Sequence, residues 1–332
     1  MVTMSSSTRQ PRVLGIILRT AVGLAAIAFL AWYLVGKREV LAQAFQIEWP
    51  VLLAISVGVW LVWLVRGIQS HVLLRALGKR VGVGELIALT VAGLCLNYLP
   101  VRTGEAMGAV FLRRRCDLRY SRFGSLVVAT LGLGLLTAGG FGLVALAASS
   151  QMGWSPRGGL VAAFGLGVAV PIGLCFIPVP SKRLVRGRAG RVLRRFAVGL
   201  RRIARHRSAL WGSLLAQVAQ YLLRCARLYL AFRVCGVRID PASVLLVQSL
   251  VTFGTLVLVT PGGLAVREGA IATGAEWLGL GLGAGLTAAA IDRAALVLWT
   301  AVFGLPSVFW LTQQLARTDG TRGRRDTVPA TL

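Results

Sequence analysis

Two short segments of this apolar chain combine backbone-breaking residues with charge. Residues 259–270 read "VTPGGLAVREGA", and residues 97–109 read "NYLPVRTGEAMGA". Proline removes a backbone donor and glycine permits a tight reversal, so each segment predicts a break between two half-helices. The free N–H groups and the positive dipole at the start of the second half-helix favour an anionic oxygen. The chemistry predicted here is the binding of an anion such as phosphate.

An arginine and a glutamate accompany each break. Arg102 and Arg267 carry planar guanidinium groups, whose donors match the oxygens of phosphate. Glu105 and Glu268 could pair with those arginines, bind an amine or accept a proton. The alternative is that each Arg–Glu pair only braces its hairpin. The residues predicted to form the breaks are Pro100, Gly104, Pro261, Gly262 and Gly263.

Charged and polar residues also interrupt two apolar stretches of the C-terminal half. Five of them, alternately four and three residues apart, predict one polar stripe on a helix: Ser213, Gln217, Gln220, Arg224 and Arg227. Asp292 and Arg293 are adjacent, so their side chains point about 100° apart and need not pair with each other. Because ionisable groups in hydrocarbon are costly, we expect these residues to face a cavity or a partner. The alternatives are ion pairing between helices and, for Arg227 and Arg224, contact with the outer headgroups.

The composition indicates which elements position these residues. The chain has 332 residues, of which 56% are hydrophobic and 14% charged, whereas soluble proteins carry roughly 25% charged residues. Six apolar stretches approach or exceed the roughly 20 residues that cross a bilayer. They are 13–35, 49–65, 123–147, 158–178, 209–232 and 284–312. The composition therefore predicts a polytopic α-helical membrane protein.

Basic residues predict the orientation of these stretches. Of the 37 lysines and arginines, 26 fall in segments on one side and only five in loops on the other. The basic segments are the residues before 13, 66–85, 113–122, 181–207 and the residues after 316. This asymmetry is the positive-inside pattern. It predicts a multi-pass protein of the cell membrane whose two termini are both cytoplasmic. It argues against nucleic-acid binding, which a net charge of +26 would suggest in a soluble protein.

The same charges locate the two broken segments. Residues 86–112 lie between two basic loops, and their 27 residues are too few for two full helices. They are predicted to form a re-entrant hairpin from the cytoplasmic side, and residues 243–279 a second hairpin from the outside. The predicted fold class is an all-α polytopic membrane protein with about six transmembrane helices and two broken re-entrant hairpins in an inverted repeat. Such a repeat places a ligand site between the breaks.

The remaining segments complete the predicted organisation. Residues 1–12 and 313–332 are predicted to be cytoplasmic tails, and 13–312 to form one membrane domain. Within it, the pattern of the basic loop 181–207 predicts a helix that lies on the anionic inner leaflet. The alternative is that its basic residues only set the orientation of the neighbouring helices in the membrane. Five cysteines and two histidines show no metal-ligand spacing, so neither a metal nor a cofactor is expected.

The motifs resemble a known family. The segments "LPVRTGE" and "TPGGLAVREGA", with "DR" at 292–293 in the following apolar helix, are similar to the lysylphosphatidylglycerol synthase transmembrane-region family, a flippase-like domain. The similarity covers about residues 13–312. The family pattern has glycine where this chain has Val101 and Ala265, and arginine where it has Gly108.

The resemblance implies lipid handling. In bifunctional members this region moves aminoacylated phospholipid between leaflets, and a separate soluble domain makes the lipid from aminoacyl-tRNA. Only a short polar tail follows residue 312 here, so synthase activity is not expected.

The function predicted is therefore transport of a lipid with a phosphate-bearing headgroup between leaflets, without enzymatic activity. The expected partners are anionic or zwitterionic phospholipids, or polyprenyl-phosphate lipids. The predicted binding residues are Arg102, Glu105, Gln217, Gln220, Arg224, Arg227, Arg267, Glu268, Asp292 and Arg293. One alternative is a membrane-embedded enzyme or accessory protein acting on a polyprenyl-phosphate or glycolipid, although no obvious nucleophile–base pair or aspartate-rich metal motif is present. A partner subunit without transport of its own is another.

Overall fold

Ten α-helices and no β-strand are present in the computed structural model, which describes residues 49–97, 103–148, 154–176, 188–255 and 265–325. The helices are α1 (Trp49–Ala76), α2 (Val83–Leu96), α3 (Thr103–Cys116), α4 (Tyr120–Ala148), α5 (Trp154–Phe176), α6 (Arg188–Arg205), α7 (Arg207–Val234), α8 (Pro241–Gly254), α9 (Val266–Trp277) and α10 (Leu282–Arg325). The predicted crossing at 13–35 lies outside the described residues. The all-α fold class is confirmed.

Four of the described helices are long and apolar enough to cross a membrane. They are Trp49–Ala76, Tyr120–Ala148, Arg157–Leu174 and Leu282–Leu315, which belong to α1, α4, α5 and α10. These helices coincide with four of the predicted crossings, and the chain is a multi-pass membrane protein. Their exposed large apolar side chains, such as Leu53, Val144 and Leu305, form the surface that lipid can cover.

Helix α7 contains the predicted crossing 209–232 but is less apolar. Its 28 residues are about 42 Å long at 1.5 Å per residue, more than a bilayer core requires. It packs against α1, α4, α8 and α10, and its polar stripe is largely buried among them. The opposite face of α7 exposes Trp211, Leu215 and Leu222, so the polar stripe lowers the mean hydropathy of a helix that still has an apolar outer face.

The two broken segments form pairs of short helices. Helices α2, α3 and α8 have 14 residues each and α9 has 12, so none exceeds about 21 Å, short of the ~30 Å hydrocarbon core. The second half-helices begin at Thr103 and Val266, where the breaks predict them to begin. Of the break residues, Pro100, Pro261, Gly262 and Gly263 lie outside the described part of the chain, as does Arg102.

The helices follow the same order twice. A long helix, a half-helix pair and another long helix make up α1–α4 and again α7–α10, at an offset of 158 residues between Trp49 and Arg207. The offset persists from Val83 to Pro241, because six-residue connections, 77–82 and 235–240, separate the helices in both halves. The first half-helix of each half packs against the last long helix of the other half: α2 packs against α10, and α8 against α4. This exchange is the contact pattern of a repeat.

Helices α1 and α7 cross at the centre in antiparallel directions. The Nε2 atom of Gln69 donates to Oε1 of Gln217 at 3.0 Å, and Nε2 of Gln220 donates to Oε1 of Gln69 at 2.9 Å. Farther along, Gly58 lies under Arg227, since a Cβ on the glycine would be 2.7 Å from Cγ of that arginine. Residue numbers thus rise along α1 as they fall along α7. Equivalent helices running in opposite directions are what an inverted repeat requires.

The basic segment 181–207 contains α6, in agreement with the predicted helix. Its Ile203 is buried with Leu126 of α4 and Leu118 in one apolar cluster. The position of this helix on a membrane surface stays a prediction.

Asp240 caps the start of α8, the first half-helix of the second pair. Its Oδ2 accepts a hydrogen bond from the backbone N–H of Ser243 at 3.0 Å, its Oδ1 accepts one from the Ser243 hydroxyl, and Pro241 occupies the first turn. Burial alone raises the pKa of Asp240, but the hydrogen bonds from Ser243 outweigh it and hold the pKa below its ordinary value of 3.8. The carboxylate form therefore stabilises the fold.

We expect Asp240→Ala to destabilise the protein by about 1 kcal/mol, because it removes this cap. A carboxyl group whose pKa is lowered by folding stabilises above its unfolded pKa and loses this effect as pH falls through the folded pKa. The difference between wild type and Asp240→Ala, measured by thermal unfolding in detergent, should therefore shrink below about pH 3.8. Asp240→Asn keeps a capping oxygen and should show no such pH dependence; the same pH dependence in this variant would contradict the assignment.

Candidate functional site

A single buried carboxylate joins three helices near the second hairpin. Asp292 of α10 accepts from Nη2 of Arg227 (α7) at 2.5 Å, and its other oxygen is paired with Nη2 of Arg267 (α9). Asp292 is 1% exposed and Arg227 is 4% exposed. A charge this deeply buried is tolerated only when it is paired. The ion pairs therefore hold α7, α9 and α10 together at this level.

A second ion pair lies beside the first. Nε of Arg293 is 3.6 Å from Oε1 of Glu268, and both side chains are buried. The adjacent residues Arg267 and Glu268 therefore do not pair with each other; each pairs with one of the adjacent residues Asp292 and Arg293. This crosswise pairing follows from the 100° rotation between neighbouring side chains on a helix. Neither oxygen of Glu268 accepts a hydrogen bond from the described residues.

Arg224 adds a further positive charge, one turn before Arg227 on α7. It lies within electrostatic range of Arg227 and Arg267, and no carboxylate of the described residues forms an ion pair with it. We call the set Arg224, Arg227, Arg267, Arg293, Glu268 and Asp292 the arginine cluster. Its four guanidinium groups and two carboxylates leave a formal charge of +2. An excess positive charge among apolar helices favours an anion as its complement.

Close backbone approaches position this cluster. Gly285 of α10 lies against α9, where a Cβ would be 2.7 Å from Cα of Ala272. Ala265, the residue before α9, has φ 67°, a left-handed conformation that glycine adopts more easily. The glycine of the family pattern at this position is thus the less strained residue. Arg267 and Glu268 follow in the first turn of α9, which directs them toward α10.

The glutamines of the polar stripe contact protein in this structure. Gln217 and Gln220 both bond to Gln69, and the Nε2 of Gln69 also donates to the backbone oxygen of Ser213 at 3.2 Å. These bonds pair the three glutamines between α1 and α7, although Oε1 of Gln220 and the Ser213 hydroxyl have no hydrogen-bond partner among the described residues. Ligand binding by the glutamines stays a prediction.

A separate cavity of about 200 Å³ lies at the first hairpin, between α1, α2, α3 and α4. Its polar lining is Arg66, Ser70, Thr90, Asn97, Glu105 and Thr130. Most other lining residues are apolar, among them several leucines and Phe123. Gly104, predicted as part of the break, lies at this cavity in the first turn of α3. Arg66 is in electrostatic range of Glu105.

The location of Arg66 corrects the sequence analysis. The crossing predicted at 49–65 ends one residue before it, which assigns Arg66 to a basic loop. In the structure α1 continues to Ala76, and Arg66 borders the cavity from within that helix. Gln69 was missed for the same reason. Their spacing of three residues on an apolar helix, and the internal offset of 158 residues, are the signals that could have found them.

No group of three or more histidine, cysteine, aspartate or glutamate side chains that could hold a metal ion is found within the described ranges. Long apolar helices, two half-helix pairs and a buried charge cluster define a polytopic α-helical membrane protein. The chain belongs to the family described as the lysylphosphatidylglycerol synthase TM region, whose family model matches residues 16–304. No curated protein and no solved structure matches the chain. The resemblance predicted from the motifs is confirmed, and the family indicates a lipid-related membrane function.

Proposed function

We propose that the protein moves a lipid between membrane leaflets and binds the phosphate of its headgroup at the arginine cluster. The observation that carries this proposal is the excess positive charge of the cluster, with Arg224 unpaired by any carboxylate among the described residues. A phosphate group supplies the complementary charge and accepts several guanidinium hydrogen bonds at once. The lipid-related family supports a lipid as its source.

The antiparallel halves suit a transporter. The first half-helix of each half packs against the last long helix of the other, so a shift of one half against the other would change which side reaches the site. The proposed substrates are anionic or zwitterionic phospholipids, or polyprenyl-phosphate lipids. The distribution of basic residues supports a cytoplasmic-membrane protein with both termini in the cytoplasm.

A substitution of Arg224 can distinguish ligand binding from a purely structural role of the arginine cluster. Arg227 and Arg267 each neutralise Asp292, so losing either of them also damages an ion pair. Arg66, Arg227 and Arg267 lie within electrostatic range of Arg224, so its removal relieves repulsion between like charges. A variant without Arg224 should therefore stay folded, and its loss of function would report on ligand binding.

The test is lipid movement in proteoliposomes. A fluorescent phospholipid is incorporated in both leaflets, and a membrane-impermeant reductant quenches only the outer pool, so movement appears as additional quenching. We expect wild type to exceed protein-free vesicles and Arg224→Ala to reduce the rate about tenfold or more, the effect of one charge-assisted hydrogen bond of about 1.5–3 kcal/mol. Arg233→Ala, an exposed position at the end of the same helix, is the matched control and should behave as wild type.

Three outcomes have distinct meanings. Equal rates with wild type and with protein-free vesicles would contradict transport. Equal rates in wild type and Arg224→Ala would contradict the site while leaving transport intact. Mass spectrometry of the recovered lipid should find it unchanged; a chemically altered lipid would favour a membrane-embedded enzyme instead.

A further inference from the structure

Equivalent helical positions in the two halves carry an arginine. The offset of 158 residues that relates α1 to α7 also relates Arg66 to Arg224. Arg66 borders the cavity at the first hairpin, and Arg224 belongs to the arginine cluster at the second. The same position of a repeated helix therefore lies at the first cavity in one half and at the arginine cluster in the other.

The contacts of α1 with α7 define the level at which the halves cross. Gly58 lies opposite Arg227, and Val72 lies opposite Gly212. In these pairs the two residue numbers add to about 285, which gives the antiparallel register. Equivalent residues of α1 and α7 differ by 158 in number, and residues at the same level add to about 285. Both relations hold at one level of α1, midway between Trp63 and Leu64.

Both arginines are close to that level. Each arginine comes about two and a half residues after this level on its own helix, which is about 4 Å along the helix axis. Because the helices are antiparallel, Arg66 and Arg224 lie on opposite sides of the level. Their Cα atoms are then about 7.5 Å apart along the axes, a span that two arginine side chains can close around one group. Each side chain is half-buried, so neither is enclosed by protein on all sides.

Arg66 and Arg224 bring two positive charges to the crossing of the helices, and Glu105, in electrostatic range of Arg66, offsets one of them. Arg66 lies within electrostatic range of Arg224, and among the described residues neither forms an ion pair with a carboxylate. Like charges repel strongly in a low-dielectric interior, and an anion between them converts this repulsion into attraction. Oδ1 of Asn97 in the adjacent cavity is buried without a hydrogen-bond partner in the described part of the chain, so it can accept from a headgroup hydroxyl or amine.

We propose that Arg66 and Arg224 hold one lipid phosphate between them at the level where the two halves cross. This inference rests on the proposed transport function and adds Arg66 as a binding residue. The apolar wall of the first cavity, including Leu89 and Phe123, lies beside the part of the lipid that follows the phosphate. One arginine from each half keeps a contact with the phosphate when the halves shift against each other.

Binding to the purified full-length protein tests the proposal. The probes are a short-chain phosphatidic acid, the matching diacylglycerol without phosphate, and inorganic phosphate. We expect Arg66→Gln and Arg224→Gln each to weaken binding of the phosphatidic acid about tenfold or more, and Arg66→Lys to lose less. Arg75→Gln, at an exposed position on the same helix as Arg66, should bind as wild type. Binding of the diacylglycerol should be the same in all variants.

The outcomes distinguish this inference from the proposed function. Wild-type affinity in Arg66→Gln, together with weakened binding in Arg224→Gln, would overturn the shared contact and leave the transport proposal standing. Weaker binding of the diacylglycerol in Arg66→Gln would overturn it as well, because the residue would then act through packing. Inorganic phosphate binding as tightly as the phosphatidic acid would overturn a lipid as the ligand. If wild type neither binds the phosphatidic acid nor moves lipid in vesicles, both proposals fail.

Discussion

Replacing Asp292 with asparagine is expected to destabilise the protein by about 3–5 kcal/mol, the effect of removing one partner from a buried ion pair. Asparagine keeps the shape of the side chain but leaves Arg227 and Arg267 without their shared negative charge. The formal charge of the arginine cluster rises from +2 to +3, since one of its two carboxylates is lost. The measurement is loss of tertiary circular dichroism with temperature in detergent micelles.

An exposed ion pair supplies the control for this prediction. Nη2 of Arg115 is 2.9 Å from Oε1 of Glu85, and the two side chains are 51% and 22% exposed. Such pairs contribute about 0–1 kcal/mol because water and salt screen them, so Glu85→Gln should change stability little. Adding Arg267→Gln to Asp292→Asn should recover part of the loss, because it removes one uncompensated charge. Similar stability in Asp292→Asn and Glu85→Gln would show that the cluster is hydrated rather than buried.

The second large effect is expected from Gly104→Ala at the first hairpin. A Cβ at Gly104 would overlap the carbonyl oxygen of Gly93 and lie 2.7 Å from Oδ1 of Asn97. Because a backbone oxygen cannot rotate away, α2 and α3 must separate. Overpacking typically costs about 1–3 kcal/mol and occasionally more, and we expect this site to reach about 3 kcal/mol. The unfolding measurement should be combined with amide hydrogen exchange, which should increase in residues 83–116.

Gly93→Ala is a control from the same contact. A Cβ at Gly93 has the carbonyl oxygen of Gly104 as its nearest atom at 3.7 Å, an ordinary van der Waals distance. The same chemical change on the facing helix should therefore alter stability by less than about 1 kcal/mol. Equal effects of the two substitutions would mean that the half-helices are not in the close contact described.

Much of the architecture was readable in the sequence because membrane insertion imposes simple rules on composition. Four predicted crossings coincide with long apolar helices, and both second half-helices begin where the proline and glycine residues predict. Hydropathy was less informative where a helix contacts protein rather than lipid. It ended the crossing at residue 65 and so assigned Arg66 to a loop. In the structure α1 continues to Ala76, with Gln69 buried against α7 and Arg66 half-buried at the first cavity.

The predicted site residues divide in a similar way. The sequence identified the arginines and carboxylates of the cluster because a charge within an apolar stretch is conspicuous. It left open whether Arg267 pairs with Glu268 or holds a ligand, and whether Asp292 and Arg293 pair with another helix. The structure pairs Arg267 with Asp292 and Glu268 with Arg293, and it joins Gln217 and Gln220 to Gln69. These partners are far apart in the chain and meet only through helix packing.

The sequence by itself determined that this chain is helical, spans a membrane several times, and breaks its helices beside charged residues. Those properties depend on the transfer of each segment from water to lipid and on local backbone geometry, which each segment carries alone. The tertiary structure decided which charges neutralise one another and which do not. The proximity of Arg66 and Arg224 also emerged only there, because it depends on the antiparallel crossing of α1 and α7. A charge balance between distant helices is a property of their packing, and no single segment contains it.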